Sequence, residues 1–97
     1  MNPIDWSKFG LSAPEILPIN GIKMAVWDTG TASAMPPVVL CHGYPELAFS
    51  WRHQLVGLPH AGIRAIAPDL RGYGLTSAPD AIEAYDLDTL TGDLSAL

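Results

Sequence analysis

Two short runs of apolar, partly β-branched residues, Val38-Val39-Leu40-Cys41 and Ile63 to Ala67, stand on either side of a helical segment. This spacing constrains the chain more than any other feature. A continuous apolar run of four or five residues reads as a strand covered on both faces, as in a parallel sheet. Parallel neighbours need a crossover, and the intervening residues supply one. Trp51, Leu55 and Leu58 recur at helical spacing, Ser50 stands where an N-cap belongs, and Pro59 with Gly62 marks the end. The implied unit is strand, helix, strand, with the right-handed connection that such units almost always adopt.

Upstream, Glu15 to Ile19 and Ile22 to Asp28 flank Asn20-Gly21, a dipeptide that tolerates the positive φ angles of a tight hairpin turn. Ile22, Met24 and Val26 alternate with Lys23 and Ala25, which predicts a strand with one buried face. A hairpin leading into a βαβ unit implies an α/β fold with a mixed sheet. After Ala67, a long loop containing Gly72, Gly74 and Pro79 leads to a helix seeded at Asp86 or Asp88, with Leu87, Leu90, Leu94 and Leu97 on one face. No glycine cap, basic last turn or proline closes this helix, so the C-terminus is expected to be a truncation within or just after it. Residues 1–14 are read as an N-terminal arm anchored by Trp6 and Phe9. Residues 15–97 are read as a partial domain, incomplete at its C-terminus.

At 97 residues, 48% hydrophobic and 15% charged, the chain is too apolar for disorder and holds one core at most. A net charge of −5, with Lys8, Lys23, Arg52, Arg64 and Arg71 scattered, argues against a nucleic-acid partner, because phosphate neutralisation needs clustered cations. Every apolar run is interrupted well short of the ~18–20 residues that a spanning helix needs, so no membrane role is expected. Cys41 is the single cysteine, which precludes an intramolecular disulfide, and with no basic-then-apolar leader at Met1 to Gly10 the expected location is cytoplasmic.

The segment Val38 to Glu46, with Cys41-His42-Gly43-Tyr44-Pro45-Glu46, followed by Ser50-Trp51-Arg52-His53-Gln54 and by Ala67-Pro68-Asp69-Leu70-Arg71-Gly72-Tyr73-Gly74, resembles the N-terminal part of an α/β-hydrolase, and within that superfamily the epoxide hydrolases. Glu83-Ala84-Tyr85-Asp86-Leu87 and Gly92-Asp93-Leu94 are similar to that group as well, so the resemblance spans Glu15 to Leu97. It implies a hydrolase that opens epoxides to diols through an aspartyl ester, without a cofactor or metal, on a small-molecule epoxide substrate. Hydrolysis of the ester creates a tetrahedral oxyanion. The loop after the first parallel strand gives that oxyanion one N–H, and the residue after the nucleophile gives the other. Carried onto this sequence, the first donor is the backbone N–H of Tyr44. His42, Gly43 and Pro45 shape its loop: Gly43 leaves room for close backbone approach, and Pro45 fixes φ, with a cis Tyr44-Pro45 bond in the family pattern.

The resemblance places the family's general base beyond Leu97, so His42 is read as a hydrogen bonder that holds the loop. Cys41 and His42 cannot form a thiol-base pair, because adjacent strand residues point to opposite faces; Cys41 is read as a buried structural residue. His53 and His60 are seven apart, but Pro59 breaks the helix between them and no third ligand is near. Asp69 and Arg71 are read as an ion pair that pins the glycine-rich loop, and Asp93 as a solvated helix residue. Gly72-Tyr73-Gly74 lacks the third glycine and the immediate helix of a dinucleotide loop.

The sequence contains neither Gly-x-Ser-x-Gly nor the Gly-His-Asp-Trp-Gly variant, so the resemblance implies that the nucleophile, general base and acid are none of them in this chain, and the 97 residues alone are expected to be inactive. Glu46 after Pro45 and the Ser50-Trp51-Arg52 segment favour epoxides over a haloalkane or haloacetate dehalogenase or a serine esterase of the same fold. A non-catalytic truncated product or interaction module is the reading from a different class. Oligomeric state, substrate and enantioselectivity have no signature here.

Overall fold

Asn20 and Gly21 take φ of 47° and 80°, and this left-handed pair folds β1 (Glu15–Ile19) back on β2 (Ile22–Asp28) as an antiparallel hairpin with Ile19 opposite Ile22. In the computed structural model, which describes residues 5–31, 35–44 and 46–97, the hairpin joins a four-stranded mixed sheet in the order β1-β2-β4-β3. β4 (Ala65–Pro68) lies antiparallel to β2 and parallel to β3 (Val38–Val39). The strand-helix-strand unit is therefore present, with α1 (Arg52–His60) as its crossover.

Several details depart from the sequence reading. β2 is buried on both faces from Met24 to Trp27. Ala25 and Trp27 join Leu40, Ala48, Leu55, Ala65 and Ala67 on the α1 side, while Ile22, Met24 and Val26 form a second cluster with Leu17, Ile19, Ile66 and Leu97. Alternation with Lys23 concealed this, because Ala25 is small enough to serve either face. β3 is shorter than expected, and Val38 and Val39 are exposed rather than covered. It is the edge strand of the described sheet, and its pairing to β4 continues only through the Leu40 N–H to Ile66 O bond at 2.8 Å.

Ser50 does not cap α1. It sits inside a 3₁₀ turn, Ala48–Trp51, that runs directly into the helix. Pro59 does not break α1 either; it lies in the last turn, which closes at Ala61 before Gly62 turns left-handed at φ 76°. Trp6 and Phe9 do anchor the arm: the Trp6 ring lies 4.3 Å from that of Trp27, and Phe9 meets Phe49 edge-on at 5.0 Å. α2 (Leu87–Ala96) starts where Asp86 accepts the Thr89 N–H at 2.7 Å, the expected N-cap. Among the described residues no helix is long and apolar enough to cross a membrane.

Candidate functional site

The backbone leaves β3 through Leu40 and Cys41 and turns at His42, Gly43 and Tyr44. Alternation puts the Cys41 thiol in solvent, contrary to the buried role read for it, and the His42 ring in the interior. His42 Nε2 lies 2.9 Å from the Leu70 amide nitrogen. An amide N–H can only donate, so Nε2 is the acceptor and the proton of a neutral ring resides on Nδ1. That Nδ1–H faces the Gly43 carbonyl oxygen at 3.1 Å, and the same oxygen accepts the Glu46 N–H at 2.7 Å.

The Gly43 carbonyl belongs to the same peptide unit as the Tyr44 N–H. In a planar trans peptide the two point in opposite directions, so holding the oxygen from two sides aims the N–H outward. The Tyr44 N–H has no acceptor among the described residues. The Tyr44 side chain is 86% exposed and takes no part in this arrangement. Pro45, with the cis bond expected before it, lies outside the described residues.

Three consecutive residues after β4 each tie down a different element. The Asp69 carboxylate accepts the Ala48 N–H at 2.9 Å and the Leu75 N–H at 3.1 Å. The Leu70 N–H holds His42. Arg71 reaches away from Asp69 and grips Asp93 of α2 through Nε and Nη2 at 2.9 and 2.8 Å, with further bonds to the Asn20 and Ala84 carbonyls. The ion pair read between Asp69 and Arg71 is therefore absent. Asp69 is occupied by backbone amides, and its approach to Gly74, φ 50°, is so close that any side chain there would strike the carboxylate.

Asp93 is not solvated; it is 2% exposed and also accepts from Asn20 Nδ2 at 2.9 Å. Burial raises its pKa, but the hydrogen bonds from Arg71 and Asn20 outweigh burial and hold the carboxyl below its ordinary value. The same hydrogen bond raises the Arg71 pKa further. A signal for this was present. Asp93 stands three residues after Leu90 and four before Leu97, on the helix stripe otherwise read as apolar.

Between the 42–44 loop and α2 lies an open cavity of about 520 Å³, walled by Tyr44, Leu70, Tyr73, Tyr85, Leu90 and Leu94. The His42 ring meets Tyr73 edge-on at 4.7 Å at its base. Among the described residues the lining is mainly leucine and tyrosine, and the Asp93 carboxylate within it is spent on Arg71. A smaller cavity of about 270 Å³, between the arm and α1, includes Asp28, whose carboxylate is paired with Arg64. Among the described residues no three His, Cys, Asp or Glu side chains converge as a metal site requires, and His53 and His60 are both exposed.

A family model described as alpha/beta hydrolase fold matches residues 36–97. The chain is 49% identical over 88 residues to epoxide hydrolase A of Mycobacterium tuberculosis, covering 91% of this chain and 27% of that protein. It is 53% identical over 75 residues to epoxide hydrolase 3 of Siraitia grosvenorii, covering 77% of this chain and 23% of that one. The crystal structure of epoxide hydrolase A from Mycobacterium thermoresistibile superposes with a TM-score of 0.79 at 48% identity, over 87% of this chain and 26% of that one. An epoxide hydrolase from Vigna radiata superposes at 0.74 with 49% identity, over 86% and 26%. The chain thus spans about a quarter of the length of the relatives it matches.

Proposed function

Because this chain belongs to the alpha/beta hydrolase fold family, we propose that it forms the part of an epoxide hydrolase that supplies one oxyanion donor, the Tyr44 N–H, to a nucleophile carried elsewhere in the enzyme. The observation that carries this reading is the Gly43 carbonyl, held by His42 and Glu46 so that the N–H of the same peptide unit has a set direction. The substrate class is the epoxide named in the relatives. In the reaction, a carboxylate attacks an epoxide carbon and the C–O bond opens to an alkoxide that takes a proton. Water, its proton taken by a base carried elsewhere in the enzyme, then attacks the ester carbonyl, whose oxygen becomes the anion that Tyr44 stabilises. Collapse of that anion breaks the ester C–O bond, releasing the diol and restoring the carboxylate. A donor fixed before charge develops needs no reorganisation at that moment, and one such donor is worth about 3 kcal/mol of barrier. Without a nucleophile the 97 residues alone turn nothing over.

A cytoplasmic setting belongs to the same reading, supported by the free, exposed Cys41 thiol, which an oxidising compartment would leave open to intermolecular pairing.

The test is a hybrid in which this chain replaces the matching segment of the M. tuberculosis relative. The hybrid is expected to hydrolyse epoxides and to tolerate Tyr44→Phe, which keeps the backbone donor. Tyr44→Pro, which deletes the N–H, is expected to lower kcat about 10²- to 10³-fold with the ester intermediate accumulating. A Tyr44→Pro hybrid as active as the parent would overturn the assignment, as would epoxide turnover by the isolated chain. A serine in place of the aspartate nucleophile, read from the coding sequence downstream of Leu97, would move the chain to the esterases.

A further inference from the structure

We propose that His42 is a positioning residue that works as a proton-sensitive latch: its neutral, Nδ1-protonated ring straps the Tyr44 loop to the segment after β4, and protonation at Nε2 releases the loop. The inference stands on the two ring contacts. Nε2 accepts the Leu70 N–H at 2.9 Å while Nδ1–H donates to the Gly43 oxygen at 3.1 Å, so one ring bridges two loops that are 28 residues apart in sequence. Only one of the three protonation states of imidazole can make both bonds. The alternative neutral tautomer sets N–H against the Leu70 N–H and leaves Nδ1, a bare acceptor, facing the Gly43 oxygen. The doubly protonated ring keeps the Gly43 bond but points a second N–H at the Leu70 amide.

The ring is buried and wedged by Tyr73, so it cannot relieve that opposition by a small rotation. It must leave, and with it goes one of the two anchors on the Gly43 carbonyl. The peptide that carries the Tyr44 N–H is then held only by Glu46.

The titratable and charged groups around the ring do not replace the lost bond. Asp69 is occupied by the Ala48 and Leu75 amides, and Arg71 and Asp93 are committed to each other in the wall of the cavity. The Glu46 carboxylate lies beside Gly43 on the loop itself. The phenols Tyr44, Tyr73 and Tyr85 line the same cavity. The Cys41 thiol points to solvent. His53 and His60 sit on exposed positions of α1 and serve as internal controls.

The consequence for catalysis rests on the reading of Tyr44 as a donor, but the latch is measured without substrate, so the two fail separately. In the ¹⁵N-labelled chain, long-range ¹H–¹⁵N spectra at neutral pH are expected to show His42 protonated at Nδ1. On acidification the Leu70 and Tyr44 amides are expected to shift with the His42 ring at one shared midpoint, not with His53 or His60. Leu70 exchange, corrected for its intrinsic pH dependence, is expected to rise about fivefold as the bond is lost. His42→Gln, whose side-chain oxygen can accept from Leu70 at any pH, is expected to abolish the coupled shift while keeping Leu70 protected. An Nε2-protonated ring, a Leu70 amide indifferent to the ring's protonation, or a Leu70 amide already unprotected at neutral pH would each overturn the latch.

Discussion

The two helices dock by opposite means, α1 on the sheet and α2 on the hairpin turn beside it. α1 begins without a side-chain cap and carries Pro59 in its last turn, yet it is held firmly because Leu55, Leu58 and Trp51 press on a floor of Ala25, Ala65 and Ala67. α2 has the better local sequence, with an Asp86 cap and a leucine stripe. Its one fully buried side chain is nevertheless Asp93, while Leu87 is 75% exposed and Leu94 is also exposed. The surfaces they meet explain the difference. α1 lies over small apolar residues that admit branched side chains, whereas α2 meets the polar end of the hairpin, where Asn20 and Arg71 present donors and Gly92 lets the helix backbone come close. A helix is docked by what its facing surface offers, and an apolar stripe alone does not decide which side turns inward.

This contrast can be broken. The largest effect is expected from Asp93→Ala, which strands the Arg71 guanidinium in the interior at a cost of about 3–5 kcal/mol. Hydrogen exchange should show the α2 amides losing protection about 100-fold or more while α1 stays protected; equal loss in both helices would mean that the two docks are not independent. Acid should reproduce part of this without mutation. The folded-state pKa of Asp93 lies below its ordinary 3.8, so its contribution is complete above that value and is lost as pH falls through the lower, folded-state one. α2 protection should therefore fail at acid pH, and in a variant that replaces both Arg71 and Asp93 with apolar residues the acid response should shrink to what the Asp86 cap, whose pKa is also lowered by its bond to Thr89, contributes.

Leu55→Ala is expected to cost about 2–5 kcal/mol and to release α1 in preference to α2, the mirror image of the Asp93 result. The smallest effect sharpens the comparison most. Leu87→Ser is expected to change protection by no more than about 0.5 kcal/mol, because that leucine buries little here. A loss as large as that of Leu55→Ala would show that the leucine face of α2 is covered in solution.

Features that depend on residues adjacent in the chain were legible at once. The hairpin could be read from Asn20-Gly21 because a left-handed turn is a property of two residues, and the start of α2 from Asp86 because a cap bonds only three residues ahead. The crossover unit was legible because two apolar runs separated by a helical period leave few ways to pair strands. The family was legible because its motifs are ordered and contiguous, from His42-Gly43-Tyr44-Pro45 to Asp69-Leu70-Arg71-Gly72. Cys41 was misplaced because β3 is an edge in the described sheet, and burial of a strand residue depends on neighbours that lie far away in sequence.

The site divides along the same line. The order of residues was enough to single out Tyr44 as the candidate donor and His42 as its companion, since the turn that joins them is local. It could not choose the partner of Arg71. A guanidinium beside two glycines can reach back two residues or across twenty-two; the helical period places Asp93 on the inward stripe of α2 but does not say which cation meets it there. Folding chose Asp93 because Asp69 was already satisfied by the Ala48 and Leu75 amides, and because the hairpin turn and α2 meet where Arg71 points. The ring state of His42 was settled in the same way, by an amide 28 residues downstream that can only donate.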